Sequence, residues 1–309
     1  MSVRNRRTRR AVVAGAIAVA AAVTALLPVT ADAATAHVVN GTTKTNRLTI
    51  STGTKYVVMN GTRVNFGVIV RDLAWSPDGK KAAFVDGNGN LDTANADGSG
   101  RHTVAVNPGH QIWSHPTWQV AKADGTVGVK AKNNLVFTVN KGGSLSLKRI
   151  SATASHGTPA ALPLGHYSGE GSSNNPITGN NWANGGGAYG TIVYDNVKNG
   201  EIYVRDDYIR QQGGAVTKGS EPALSPNGEE IVFVRSVKGH DHIFTSDTAG
   251  KHVKDLTPHS TTDYTEPTWA PDGKTIVFRT PQHMARIPAN GSTLPVEVST
   301  YTGLAAYRG

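Results

Sequence analysis

The chain has 309 residues, carries a formal net charge of +9 and contains no cysteine. The last fact excludes disulfide staples, cysteine-ligated zinc and a lipid-modified N-terminal cysteine. The basic residues beyond the N-terminus are scattered rather than blocked, which argues for a mixed soluble surface and against nucleic-acid binding.

Residues 1–10 hold Arg4, Arg6, Arg7, Arg9 and Arg10 and no acid; Ala11 to Leu27 is apolar; Ala31-Asp32-Ala33 ends a small-residue stretch. A basic segment, an apolar core and an A-x-A site make a secretory leader. Cleavage is expected after Ala33, or alternatively after Ala36. The apolar run lies at the short end of the roughly 17–25 residues that span a bilayer, so no membrane span is expected in the mature chain. Thr8-Arg9-Arg10-Ala11-Val12-Val13 resembles a twin-arginine signal, and the general export route fits as well. The mature protein, residues 34–309, is expected outside the cytoplasm as a monomer. Without disulfides, it must hold itself by its core.

Its dominant feature is self-similarity. Asp72-Leu-Ala-Trp75-Ser-Pro-Asp-Gly79 leads into Lys-Lys-Ala-Ala-Phe84. Glu221-Pro-Ala-Leu224-Ser-Pro-Asn-Gly228 leads into Glu-Glu-Ile-Val-Phe233. Glu266-Pro-Thr-Trp269-Ala-Pro-Asp-Gly273 leads into Lys-Thr-Ile-Val-Phe278. His115-Pro-Thr-Trp118 begins a weaker copy. The Trp or Leu is a wedge between sheets, and Pro with Asp-Gly or Asn-Gly makes a tight turn. The Ile-, Val- and Phe-rich run that follows is a strand. Second hairpins follow, at Asp86 to Asn90 and at Lys238 to Asp241. Each repeat reads as four antiparallel strands, and the Trp75–Trp118 and Leu224–Trp269 intervals fall in the roughly 40–50 residues of a propeller blade. The fold class is therefore all-β, a β-propeller of about six blades, with five or seven also fitting the length. Asn175-Pro-Ile-Thr178 and Asn181-Trp-Ala-Asn-Gly185 are expected to form a degenerate inner strand and turn, after a long loop over 151–174. The chain ends Gly303-Leu-Ala-Ala-Tyr307, which matches Asp72-Leu-Ala-Trp75 and stops; the N-terminal β-rich runs are expected to complete that blade and close the ring.

These motifs resemble the TolB-type, WD40-like (PD40) repeat family. No Trp is followed by Asp, so the classical WD40 repeat does not fit. The resemblance implies a propeller that binds protein partners in the periplasm. His37 to Val70 is too short for the separate N-terminal domain of TolB, and no G-x-S-x-G elbow of a propeller-linked peptidase is present.

The repeat alignment places Asp72, His115, Asn175, Glu221, Glu266 and Gly303 at the starts of the inner strands, around the central channel. These are the candidate ligand-binding residues. Converging carboxylates of Asp72, Glu221 and Glu266 are candidate ligands for Ca²⁺ or another divalent cation, or for a basic side chain of a partner. The alternative is that each acid belongs to the repeat and caps a loop by hydrogen bonding. No cofactor is otherwise expected. Asp86-Gly-Asn88-Gly-Asn90 resembles the start of a calcium loop, lacks its glycine and final glutamate, and reads as a turn. His240 and His242 share a strand face without a third ligand nearby in sequence. Trp113, Trp182, Tyr189 and Tyr208 lie outside the wedge positions and either stack on a ligand or pack between blades. The expected function is a non-catalytic binding propeller for a protein or cell-envelope partner. The alternatives are a carbohydrate or lactone lyase or hydrolase using a channel metal and His115 as acid or base, and a lectin-like sugar binder.

Overall fold

The computed structural model describes residues 39–165, 174–206 and 212–309; the segment expected to be a leader and Tyr208 lie outside them. The described chain is all strand and turn, in six sheets of four antiparallel strands. Blade 1 holds β1 (Leu48–Ser51), β2 (Tyr56–Met59) and β3 (Thr62–Asn65). Blade 2 is β4 (Arg71–Trp75) to β7 (His102–Ala105), blade 3 is β8 (Ile112–Ala121) to β11 (Ala160–Ala161), and blade 4 is β12 (Asn180–Gly186) to β15 (Gly213–Lys218). Blade 5 is β16 (Ser220–Leu224) to β19 (Lys254–Asp255), and blade 6 is β20 (Thr265–Trp269) to β23 (Val296–Ser299). The last strand, β24 (Leu304–Tyr307), pairs with β1 as the inner strand of blade 1, Leu48 opposite Tyr307 and Ser51 opposite Leu304. The inner strands β24, β4, β8, β12, β16 and β20 pack each against the next, and β20 against β24, which closes the circle. The sequence-based expectation of a six-bladed propeller joined between its ends holds.

The core is six seams rather than one centre. In blade 5, Ile231 and Phe233 face Val193 and Ile202 of blade 4, while Val232 and Val234 face Trp269 and Phe278 of blade 6. A strand buried on both faces must be apolar at consecutive positions, which is why the repeats read Ile-Val-Phe rather than alternating. The Trp wedges also tie neighbours by hydrogen bonds. The Trp118 indole donates to the Ala74 carbonyl at 3.2 Å, the Trp269 indole to the Ala223 carbonyl at 3.1 Å, and the Trp75 indole to the Thr49 hydroxyl at 2.9 Å.

Blade 4 differs from its expected form. Residues Asn181 to Gly185 are strand, and the turn is 187–190. The pairing of Gly185 with Ile192 matches that of Trp75 with Ala82, so glycine stands where other blades have a wedge. A Cβ on Gly185 would lie 2.3 Å from the Trp118 carbonyl oxygen. The blade 3–4 seam therefore closes on backbone. The stretch read as one loop over 151–174 contains the two-residue outer strand of blade 3 at Ala160–Ala161.

Two substitutions test these seams. Trp269→Ala, which empties a wedge, is expected to cost about 3–5 kcal/mol in urea unfolding. Gly185→Ala should destabilise although it adds only a methyl group. A stability unchanged in Gly185→Ala would contradict the close backbone contact.

Candidate functional site

Every inner strand of blades 2 to 6 begins with a β-bulge. In blade 2, Arg71 pairs with Val85 and Ala74 with Ala83, so Asp72 and Leu73 together face Phe84. Equivalent breaks fall at Ser114/Thr117, Asn181/Asn184, Ser220/Ala223 and Thr265/Thr268. The first bulge residue is left-handed in each: Asp72, His115, Trp182, Glu221 and Glu266 have φ of 54°, 49°, 50°, 52° and 55°. For non-glycine residues this costs about 1–2 kcal/mol each, so the surroundings must enforce it. Blade 1 has no bulge; β24 pairs straight along β1.

These positions correct one expectation. Asn175 is not at the start of an inner strand. Its side chain amide donates to the carbonyls of Leu164 and Gly165, at 3.4 and 2.9 Å, and Trp182 occupies the ring position instead. The alignment failed because blade 4 lacks both the wedge and the proline after the bulge. Asp72, His115, Glu221 and Glu266 do hold equivalent places in the ring.

A bulge removes its residues' N–H groups from the strand ladder, and a buried N–H needs another acceptor. Proline at the second bulge position, as in His115-Pro116, Glu221-Pro222 and Glu266-Pro267, eliminates one donor. At four junctions a bulge amide is met from the preceding blade. The His115 N–H donates to Asp72 Oδ2 at 3.0 Å, and the Glu266 N–H to Glu221 Oε2 at 2.6 Å. The Trp182 N–H donates to the Thr138 hydroxyl at 3.2 Å, and the Leu73 N–H to the Ser51 hydroxyl at 3.4 Å. The hydroxyl acceptors come from one repeat position, opposite the residue before the bulge: Ser51, Val85, Thr138, Asp195, Val234 and Arg279. Where that position is valine, the ring carboxylate takes over. Asp72 and Glu221 thus have a structural task at the blade 2–3 and 5–6 junctions.

Two carboxyl groups remain outside this scheme. Glu266 precedes blade 1, which has no bulge amide to satisfy. Its Oε1 accepts from Arg279 Nη1 at 2.7 Å, and its Oε2 is buried without a hydrogen-bond partner. Asp195 sits at the acceptor position of blade 4, 3% exposed, and its Oδ1 is buried without a partner. Burial pushes Glu266 up to about 7 against the pull of Arg279, with Glu221 and Asp72 adding repulsion. Burial, with Glu221 nearby, pushes Asp195 up to about 7 as well. Burial also raises Glu221, opposed by the Glu266 amide. It lowers His115, opposed by Asp72.

Two cavities open along the axis. One, of 370 Å³, is the polar mouth, lined by Arg71, Asp72, His115, Glu266, Arg279 and the hydroxyls of Ser51, Thr52 and Thr302. Gly303 also lines it; a Cβ there would meet the Ser51 carbonyl at 2.3 Å. The other, of 480 Å³, continues past His115, Trp182 and Glu266 to Trp75, Trp118 and Trp269. The His115 and Trp182 rings lie 3.7 Å apart between centroids, and His115 Nδ1 is buried without a partner. Trp182 was expected to stack on a ligand or pack between blades, not to hold a ring position, and Asp195 and Arg279 were missed as site residues. The signal for the last two was present in sequence, since each directly follows the aromatic residue that ends the strand after the turn: Tyr194-Asp195 and Phe278-Arg279.

The remaining sequence candidates fall elsewhere. Among the described residues no three His, Asp or Glu side chains come together as a metal-binding group. The carboxylate of Asp86 closes its own turn, accepting from the Asn88 and Asn90 amides at 2.8 Å. His240 and His242 pair with separate acids, Asp263 at 3.3 Å and Asp255 at 2.8 Å. Trp113 is buried in the blade 2–3 seam against Phe137. The half-buried Tyr189 lies in the blade 4 turn. No helix among the described residues is long and apolar enough to cross a membrane.

The described residues form a six-bladed β-propeller whose fold is similar to that of TolB. The structure of a putative TolB from Agrobacterium tumefaciens is similar over 83% of this chain and 92% of that one, with a TM-score of 0.56 at 17% identity. TolB from Acinetobacter baumannii is similar over 85% of this chain and 66% of that one, with a TM-score of 0.55 at 16% identity. Regucalcin from A. tumefaciens, a calcium-binding protein, covers 77% of this chain and 79% of its own, with a TM-score of 0.50 at 11% identity. No protein-family model matches the chain, and no curated protein does. At these identities the likeness shows the fold.

The raised carboxyls set a pH dependence. A group whose folded pKa lies above its unfolded value binds more protons when folded, so stability falls as pH rises from about 4 through 7. Urea unfolding is expected to show lower stability at pH 8 than at pH 5. Asp195→Asn should recover on the order of 1 kcal/mol at pH 8 and little at pH 5. Equal stabilities of wild type and variant at pH 8 would contradict the buried, unpaired state of Asp195.

Proposed function

We propose that this chain is an exported, non-catalytic binding propeller of the PD40 type that presents its polar channel mouth to a protein or cell-envelope partner. The observation that carries this reading is the division of labour in the ring. Asp72 and Glu221 are engaged in joining blades, whereas His115, Glu266 and Arg279 line an open cavity with hydrogen-bonding capacity to spare. The strained left-handed residues at the mouth fit a preorganised recognition surface. TolB-like structural neighbours are consistent with a binding role. Export rests on the N-terminal leader.

The test is site-specific photo-crosslinking in the producing cells, with benzoylphenylalanine at Thr52 or Pro281 on the mouth, and at Lys274 in a turn at the far end of the channel. A discrete crosslinked partner from the mouth positions alone is expected. Crosslinking only from Lys274, or turnover of oligosaccharide or lactone panels abolished by His115→Ala, would contradict the proposal; the second result favours the enzyme reading.

A further inference from the structure

The mouth holds more buried carboxyl than the architecture uses. Glu266 has no bulge amide to bind, since blade 1 is unbulged, and only one of its oxygens is engaged by Arg279. Asp195 lies on the strand face that points to blade 5, the side of Val193, just as Thr138 lies on the side of Val136 and reaches the next blade's bulge. It is directed at the blade 5 bulge, where Glu221 begins, and its Oδ1 finds no donor. His115, which lines both cavities, holds a third orphaned polar atom in its buried Nδ1, and the Trp182 ring lies against its imidazole at 3.7 Å between centroids, tilted by 36°. Unpaired buried acceptors are destabilising, charged ones most of all, so this arrangement is poised for a donor that is itself cationic. Arg71 and Arg279 cannot fill the role. Arg71 is turned to the Asp86 carbonyl at 2.7 Å, and Arg279 is committed to Glu266 Oε1.

Building on the binding role above, we infer that the mouth is a subsite for one basic side chain, a lysine or arginine of the partner, whose N–H groups bind the Glu266 carboxylate and the His115 imidazole beside the Trp182 ring. Such a group supplies several donors to the acceptors lining the mouth and keeps its charge against an aromatic face. Asp195 does not touch the ligand; its partial negative charge behind Glu221 strengthens the field there.

The direct probe is n-butylammonium chloride, titrated at constant ionic strength and pH 8 while the Trp182 indole N–H is followed by NMR. Sodium butyrate and calcium chloride are titrated in parallel. A saturable shift with butylammonium and none with butyrate is expected, weakened about tenfold or more by Glu266→Gln and less by Asp195→Asn. Circular dichroism establishes that the variants are folded; should Glu266→Gln not fold, Asp195→Asn carries the comparison. No saturable response to butylammonium, an equal response to butyrate, an unchanged affinity in the folded variants, or saturation by calcium alone would overturn the inference. Mouth crosslinks without ammonium binding would leave the partner reading standing and remove this subsite. Ammonium binding without crosslinks would keep the subsite and remove the protein partner.

Discussion

A propeller of this kind depends on how each blade hands its unpaired backbone donors to its neighbour. The bulge in the inner strand of each of blades 2 to 6 turns a side chain toward the channel, and in doing so frees an amide that the sheet cannot satisfy. The remedy varies from junction to junction. Serine or threonine hydroxyls serve at two junctions, and Asp72 and Glu221 at two others where the neighbouring position is valine. Proline after the bulge removes the second donor outright in three blades. The polar ring is therefore first a structural device, and only what it leaves unpaired is available for recognition.

That accounting separates residues which look alike. Asp72, Glu221 and Glu266 share a repeat position and a left-handed backbone, yet Glu266 faces the unbulged blade formed from both ends of the chain. The join that closes the ring thus also releases one carboxylate for another purpose. Arg279, at the position that supplies hydroxyls elsewhere, holds half of it. The glycine at position 303, which could carry no side chain without striking Ser51, keeps the mouth open beside this pair.

Much of the architecture was legible in sequence because it rests on local signals. The Asp-Gly and Asn-Gly turns, the Trp wedges and the doubly buried Ile-Val-Phe runs each have a physical cause that acts within a few residues. Blade 4 was harder to read because its seam closes through glycine: Gly185 packs on the Trp118 carbonyl, and a missing side chain leaves no motif. That gap sent the alignment to Asn175 in place of Trp182. The roles within the ring were not legible at all. Whether a carboxylate is engaged or spare depends on whether valine or a hydroxyl stands at the acceptor position of its own blade, and on whether the next blade, about forty residues on, has a bulge amide to bind. Asp195 and Arg279 could have been found by lining up the residue after the Phe or Tyr of each second strand with Ser51, which follows Ile50 in blade 1; that column holds two charges and otherwise valine, serine and threonine.

The central claim is that side chains of one blade bind the bulge amides of the next. Amide hydrogen exchange at His115 and Glu266 tests it most directly, since neither residue pairs in its sheet ladder. The account predicts strong protection of both amides, lost at His115 alone in Asp72→Ala and at Glu266 alone in Glu221→Ala, with neighbouring ladder amides unaffected. Rapid exchange of both in the native protein, or protection that survives removal of the carboxylates, would contradict it.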